Sequence, residues 1–160
     1  MRATLIHTNK IQLISEQSIV EKSNIGNYTT IWHFVNIYDS NIGTHCSIGA
    51  STEIGGAIIG KNVRIGYGCF IPPGVIIDDD CFISPRVCFT NDKNPPSIKV
   101  NGKIKPLCTI VGKGAIVGAN STILPGIIIG KKSVIGAGSV VTKSIPDGET
   151  WAGNPARKLK

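Results

Sequence analysis

The sequence predicts an all-β chain wound into a parallel β-helix of six-residue repeats. Three observations predict it. A large aliphatic residue recurs every six positions, a small residue follows it by four, and glycine often follows it by one. Isoleucine and valine favour extended chain and glycine punctuates it, whereas no window holds a 3.6-residue apolar period. Little helix is expected. At 160 residues the chain reads as one domain, 1–160, with 41% hydrophobic residues to build a core.

The coil elements come first. Leu13, Ile19, Ile25, Ile31 and Ile37 stand six apart, and one step of five leads to Ile42, Ile48 and Ile54. Another step of five leads to Ile59, Ile65, Ile71, Ile77, Ile83 and Phe89. After a break come Val111, Val117, Ile123, Ile129, Ile135 and Val141. Each is read as an inward residue on a flat face. The residues four further on, such as Thr29, Val35, Cys46, Cys69, Cys81, Ala115 and Ser133, are read as fitting where a corner narrows. Glycines such as Gly26, Gly43, Gly49, Gly66 and Gly118 are read as relieving strain at corners that need positive φ. Three hexads close a coil, and coils stack at about 4.8 Å. Roughly seven coils over 13–145 then give a prism on the order of 30 Å tall.

The break is the next element. Residues 90–109, TNDKNPPSIKVNGKIKPLCT, keep no six-fold rhythm and hold three prolines. They read as a loop thrown out from the prism, which has no concavity of its own; loops on rigid scaffolds commonly carry function. A C-terminal tail, 146–160, follows the coils.

Charge and cysteine content narrow the function classes. The net charge is +7, and +4 of it lies from residue 131 onward: six basic residues against Asp147 and Glu149. A basic end suggests a polyanionic partner. The charges are scattered, so a phosphorylated small molecule fits better than nucleic acid or a membrane. Five cysteines without a CxxC pair give neither a disulfide framework nor a zinc site. Cys46, Cys69 and Cys81 fall in the small inward column; Cys88 and Cys108 flank the break. No apolar run is long enough to span a bilayer and no signal-peptide pattern opens the chain, so a reduced, cytoplasmic protein is expected.

The repeat resembles that of the hexapeptide acyltransferases, whose coil is a left-handed β-helix, over about residues 13–145. FTNDKNPPS (89–97) resembles the Phe-Thr-Asn-x-x-Asn-Pro segment of nucleotide-sugar N-acetyltransferases acting on UDP- or dTDP-linked 3-amino sugars. IWHFVN (31–36) and VGKGAIVGANSTILPG (111–126) fit the same group, while IGAGSVVTKSIPDGETWAGNPARKL (135–159) resembles a general signature of hexapeptide acetyltransferases that implies acyl-CoA use more than substrate. Two positions depart from it: Pro96 stands where many members have arginine, and Asn36 where many have histidine.

This resemblance implies a homotrimer with acetyl-CoA as co-substrate and no metal. The implied reaction is N-acetylation of a nucleotide-linked amino sugar for surface polysaccharide biosynthesis. It implies Asn91 as the catalytic residue, aiming the amine without acting as a base. His33, Phe34 and Asn94 would bind the sugar nucleotide. Gly118, Ala119, Gly136 and Ala137 would line the CoA groove, with Lys143, Arg157 and Lys158 on its phosphates and Pro155, with Ala156, against its adenine. Two other readings fit the repeat: O-acetyl transfer to a sugar or serine hydroxyl, which normally needs a histidine base, and a non-catalytic trimeric scaffold. A metal-dependent relative of this fold needs three histidines around one ion. The three here, His7, His33 and His45, are spaced 26 and 12 apart and do not give that arrangement.

Overall fold

The computed structural model describes residues 12–93 and 107–159. Strands of two or three residues alternate with tight turns, and the described residues contain no helix. The strands stack into three parallel sheets, the faces of a triangular prism. The first face begins with Leu13–Ile14 and Thr30–Ile31, the second with Ile19–Glu21 and Asn36–Tyr38, the third with Asn24–Ile25 and Asn41–Ile42. Seven coils result. Paired positions on the first face lie 17 residues apart three times (Leu13, Thr30, Ser47, Arg64), then 18 to Phe82. The next step, Phe82 to Ile116, is 34, and 18 and 16 follow to Val134 and Thr150. The fifth coil therefore carries 16 residues more than its neighbours (34 less 18), and these form the excursion.

The inward column is nearly continuous isoleucine: Ile31, Ile37, Ile48, Ile54, Ile71, Ile77 and Ile83 are buried, with Phe89 the largest enclosed side chain. Burial of each such residue is worth about 1.5–3 kcal/mol. The first coil corrects the rhythm. Leu13 and Ile19 face outward, 41% and 56% exposed, while their neighbours Ile14 and Val20 align with Ile31 and Ile37 and pack on the core. The real step from Val20 to Ile25 is five, as from Ile37 to Ile42 and from Ile54 to Ile59. Two adjacent aliphatics hide it.

Small residues of the second column are buried and do more than fill space. Thr29 Oγ1 donates to the Gly43 carbonyl at 2.8 Å, Thr52 Oγ1 to Gly66 at 3.0 Å, Ser121 Oγ to Gly136 at 3.1 Å, and Ser133 Oγ to Pro146 at 2.7 Å. Cys46, Cys69 and Cys81 occupy the same rungs, their Sγ atoms 3.1, 3.3 and 3.2 Å from carbonyls of the next coil. Among the described residues no buried side-chain nitrogen or oxygen lacks a partner. The cysteines are thus packing residues.

The corner glycines have a different cause from the one expected. Gly26, Gly43, Gly49, Gly66 and Gly118 are not at positive φ. A Cβ at Gly49 would sit 2.5 Å from the Gly66 carbonyl carbon and from the Tyr67 nitrogen. Glycine is required there because the next coil's backbone occupies the side-chain space. The left-handed corner positions fall two residues later, and many hold ordinary residues, including Phe34, His45, Asn62 and Arg86.

Regular structure resumes at Thr109, the buried first residue of Thr109–Val111. It also runs past 145: Thr150–Ala152 adds a rung to the first face, and Arg157–Lys158 folds back antiparallel on it. Ala156 is buried, its N–H donating to Val140 O at 2.8 Å.

Candidate functional site

The stacking aligns each corner into a vertical edge. The edge between the first and second faces carries Trp32-His33-Phe34 in the second coil and Gly49-Ala50-Ser51 in the third. Tyr67-Gly68, Pro85-Arg86, Gly118-Ala119-Asn120 and Gly136-Ala137-Gly138 follow in the fourth to seventh. Six of the predicted site residues, His33, Phe34, Gly118, Ala119, Gly136 and Ala137, are thereby brought to one edge from distant parts of the chain. That edge holds no Asp or Glu from the second coil to the seventh. The acids gather elsewhere: Asp78, Asp79, Asp80 and Asp147 lie on the edge between the third and first faces, where Lys113 pairs with Asp80 at 3.3 Å. A cleft of about 340 Å³ opens there, lined by Ile58, Gly60, Ile76, Ile77, Asp78, Asp79, Lys113 and Lys131, away from the predicted residues.

His33 is exposed, and its Nδ1 lies 2.6 Å from Ser15 Oγ in the coil below. Phe34, 64% exposed, is held outward by a left-handed φ of 60° and packs tilted on His33, ring centroids 6.3 Å apart. Higher on the edge, Gly118 donates to Ile135 O at 2.8 Å, and a Cβ on it would come 2.5 Å from the Ala137 nitrogen. Its smallness serves coil stacking. Gly136 is likewise closed by Ala152, whose Cβ would be 2.7 Å away. The open surface at this height is Ala137 and Gly138, with nothing within 4 Å of a Cβ on Gly138.

Other predicted residues lie apart. Asn91 is half-buried on the neighbouring edge, between the second and third faces, directly after Cys88–Phe89. Thr90 fixes that exit, its N–H donating to Ile123 O at 2.9 Å and its hydroxyl to the same oxygen at 3.2 Å. Lys143 is exposed two coils above. Asn94 falls outside the described residues. In the closing hairpin Pro155 and Arg157 are exposed, whereas Lys158 Nζ is 2.7 Å from Glu149 Oε1 and holds that carboxyl below its ordinary range. Ala156, expected against adenine, is instead buried in its own coil stack.

Two residues that sequence reasoning missed share the first edge. Arg86, exposed, lays its guanidinium over the Tyr67 ring, 5.6 Å from the centroid, and its backbone N–H donates to the Tyr67 carbonyl at 2.9 Å. Their hexad positions mark them: Tyr67 follows Ile65 as His33 follows Ile31, and Arg86 follows Ile83 as Phe34 follows Ile31.

Comparison with known proteins bears on this arrangement. Residues 108–143 match the hexapeptide repeat of succinyl-transferase, and 56–91 match the bacterial transferase hexapeptide (six repeats). The fold is the left-handed β-helix of hexapeptide-repeat transferases. The solved structure of AntD, an N-acyltransferase from Bacillus cereus in complex with dTDP and 3-hydroxybutyryl-CoA, is 28% identical. It superposes with a TM-score of 0.64 over 93% of this chain and 79% of that one. The polySia-specific acetyltransferase NeuO, at 23% identity and a TM-score of 0.65, covers 95% of this chain and 85% of its own and shares the fold. The bifunctional protein GlmU of Synechococcus sp. is 31% identical over 147 residues, 90% of this chain and 30% of that protein. Protein CapG of Staphylococcus aureus is 62% identical over 50 residues, 31% of this chain and 29% of its own. The chain thus spans less than a third of the length of the curated relatives it matches.

Proposed function

We propose that this hexapeptide-repeat protein is an acetyl-CoA-dependent N-acetyltransferase. Its acceptor is the amine of a nucleotide-linked amino sugar, of the UDP- or dTDP-3-amino class, made in the cytoplasm for surface polysaccharide. The observation that carries this reading is the acid-free edge running from His33 and Phe34 up to Ala119 and Ala137. It suits two extended phosphorylated ligands laid end to end, the sugar nucleotide below and CoA above. The nucleotide and acyl-CoA bound by the similar N-acyltransferase from Bacillus cereus support the pairing.

A prism edge is convex, so a cleft requires a second copy. A threefold arrangement with the second face inward would bring the first-to-second edge of one copy against the second-to-third edge of the next. Asn91 would then face the neighbour's edge, which supports a homotrimer with shared sites. In the reaction the neutral amine attacks the thioester carbonyl. The Asn91 amide oxygen accepts a hydrogen bond from the amine and points its lone pair at the carbon. A backbone N–H stabilises the oxyanion. The carbon–sulfur bond then breaks, and the departing thiolate takes the amine proton.

The test is thiol release from acetyl-CoA across a panel of UDP- and dTDP-amino sugars. Release with at least one amine, and none with the hydroxyl analogue, is expected. Asn91→Ala should lower turnover about 10²-fold, as loss of other pre-organised hydrogen-bonding groups does. Release with hydroxyl sugars alone would overturn N-transfer, and absence of CoA binding by calorimetry would overturn transfer altogether.

A further inference from the structure

We infer that Arg86, seated on Tyr67, is the subsite for the anionic group of the sugar nucleotide next to the reacting amine. The inference rests on the proposed function and adds to it a residue and a ligand chemistry.

Position supports it first. Arg86 lies on the same edge as His33 and Phe34, three coils above them, about 14 Å at the usual spacing. That length is comparable to an extended nucleoside diphosphate. It also lies one coil below Gly118-Ala119, where the acyl donor would end. Height supports it next. Arg86 and Asn91 belong to the same coil, at opposite edges of the second face. A threefold axis parallel to the prism preserves height, so the neighbour's Asn91 arrives level with Arg86. An oxyanion on the sugar, whether diphosphate or ring carboxylate, is then within reach when the amine meets Asn91.

Chemistry and surroundings agree. The guanidinium is exposed and has no carboxylate partner among the described residues; the ion pairs found there use Lys113 and Lys158. Its own edge offers no acid, and Glu53 on the second face accepts instead from the Tyr38 hydroxyl at 3.2 Å. A Cβ on Gly68 would lie 3.6 Å from Arg86 Cγ, so the side chain runs down over that glycine onto Tyr67. Below it Gly49, Ala50 and Ser51 leave the edge low between two aromatic shelves. A planar fork fixed on an aromatic ring suits bidentate binding of phosphate or carboxylate.

The experiment compares Arg86→Gln with Arg64→Gln. Arg64 is exposed and stacks on Phe82 at 5.3 Å, but lies within the first face, so it controls for net charge. Arg86→Gln should raise KM for the sugar nucleotide about 10–100-fold, the loss of a charge-assisted contact. KM for acetyl-CoA should stay within twofold, Arg86→Lys should recover part of the effect, and Arg64→Gln should change neither. Weakened binding of free UDP or dTDP to Arg86→Gln would identify the diphosphate. An effect confined to a uronate substrate would identify the carboxylate. Unchanged sugar-nucleotide KM in a folded Arg86→Gln protein, an equal effect of Arg64→Gln, or a matching rise in acetyl-CoA KM overturns the subsite alone. Absence of sugar-nucleotide binding by the unaltered protein overturns the proposed function and the subsite with it.

Discussion

Replacement of Gly49 by alanine isolates the force that sets coil spacing. The added Cβ would lie 2.5 Å from the Gly66 carbonyl carbon and the Tyr67 nitrogen and 2.9 Å from the Gly66 oxygen. Ordinary contact begins near 3.4 Å, so the upper coil must retreat by 0.9 Å at this corner. That retreat would stretch the Gly49 N–H to Ile65 O bond, now 2.8 Å, past hydrogen-bonding length. Overpacking costs about 1–3 kcal/mol and a lost ladder bond about 1 kcal/mol. A net loss of about 3 kcal/mol follows, roughly 9 °C in Tm for a chain of this size. Gly138→Ala is the companion: φ is +69° there and nothing lies within 4 Å, so only the left-handed backbone is penalised, by about 1 kcal/mol or 3 °C. The assay is thermal and urea unfolding of both variants at matched protein concentration. Equal losses, or a larger one for Gly138→Ala, would refute the steric account of the corner glycines.

Two further expectations concern stability. Phe89 is fully buried at the root of the excursion, and Phe89→Ala should cost about 3–5 kcal/mol. Urea unfolding checks it, and a loss under about 1 kcal/mol would deny the ring its place in the core. Burial pushes the Cys69 and Cys81 thiols up to about 11, each from an ordinary value of 9.0. Above pH 9 the unfolded thiols ionise first while the folded ones keep their protons, so the folded chain binds more protons and stability falls as pH rises toward 11. The effect is on the order of 2 kcal/mol per thiol. The urea midpoint of a Cys69→Ala, Cys81→Ala protein should therefore fall less steeply over that window, and an identical slope would deny the thiols their role.

Much of this architecture is legible in the sequence because each coil repeats one local solution. Ile31, Ile48, Ile65 and Ile83 stack because three near-hexad steps, of six, five and six residues or of six each, return the chain to the same face. Where the code is locally degenerate it misleads: beside Ile14 and Val20, the equally apolar Leu13 and Ile19 satisfy the six-residue count, and only pairing with Thr30 and Asn36 shows which pair faces inward. The candidate site divides likewise. His33, Phe34, Ala119 and Ala137 could be named from the motifs they sit in, but their meeting on one edge depends on coil lengths of 17 and 18, which the 16-residue excursion interrupts. Arg86 sat in no motif; its hexad position matches that of Phe34, but its seat over Tyr67 exists only once the coils have stacked.

By itself, then, the sequence determined the repeat, the burial of its aliphatics and the place where the chain leaves the prism, since these follow from spacing along one strand of polymer. Tertiary structure decided which corner gathers acids and which has none, why the corner glycines cannot be replaced, and that Arg86 and Asn91 stand at equal height. Those properties depend on contacts between residues one or more coils apart, and such contacts exist only after the coils have stacked.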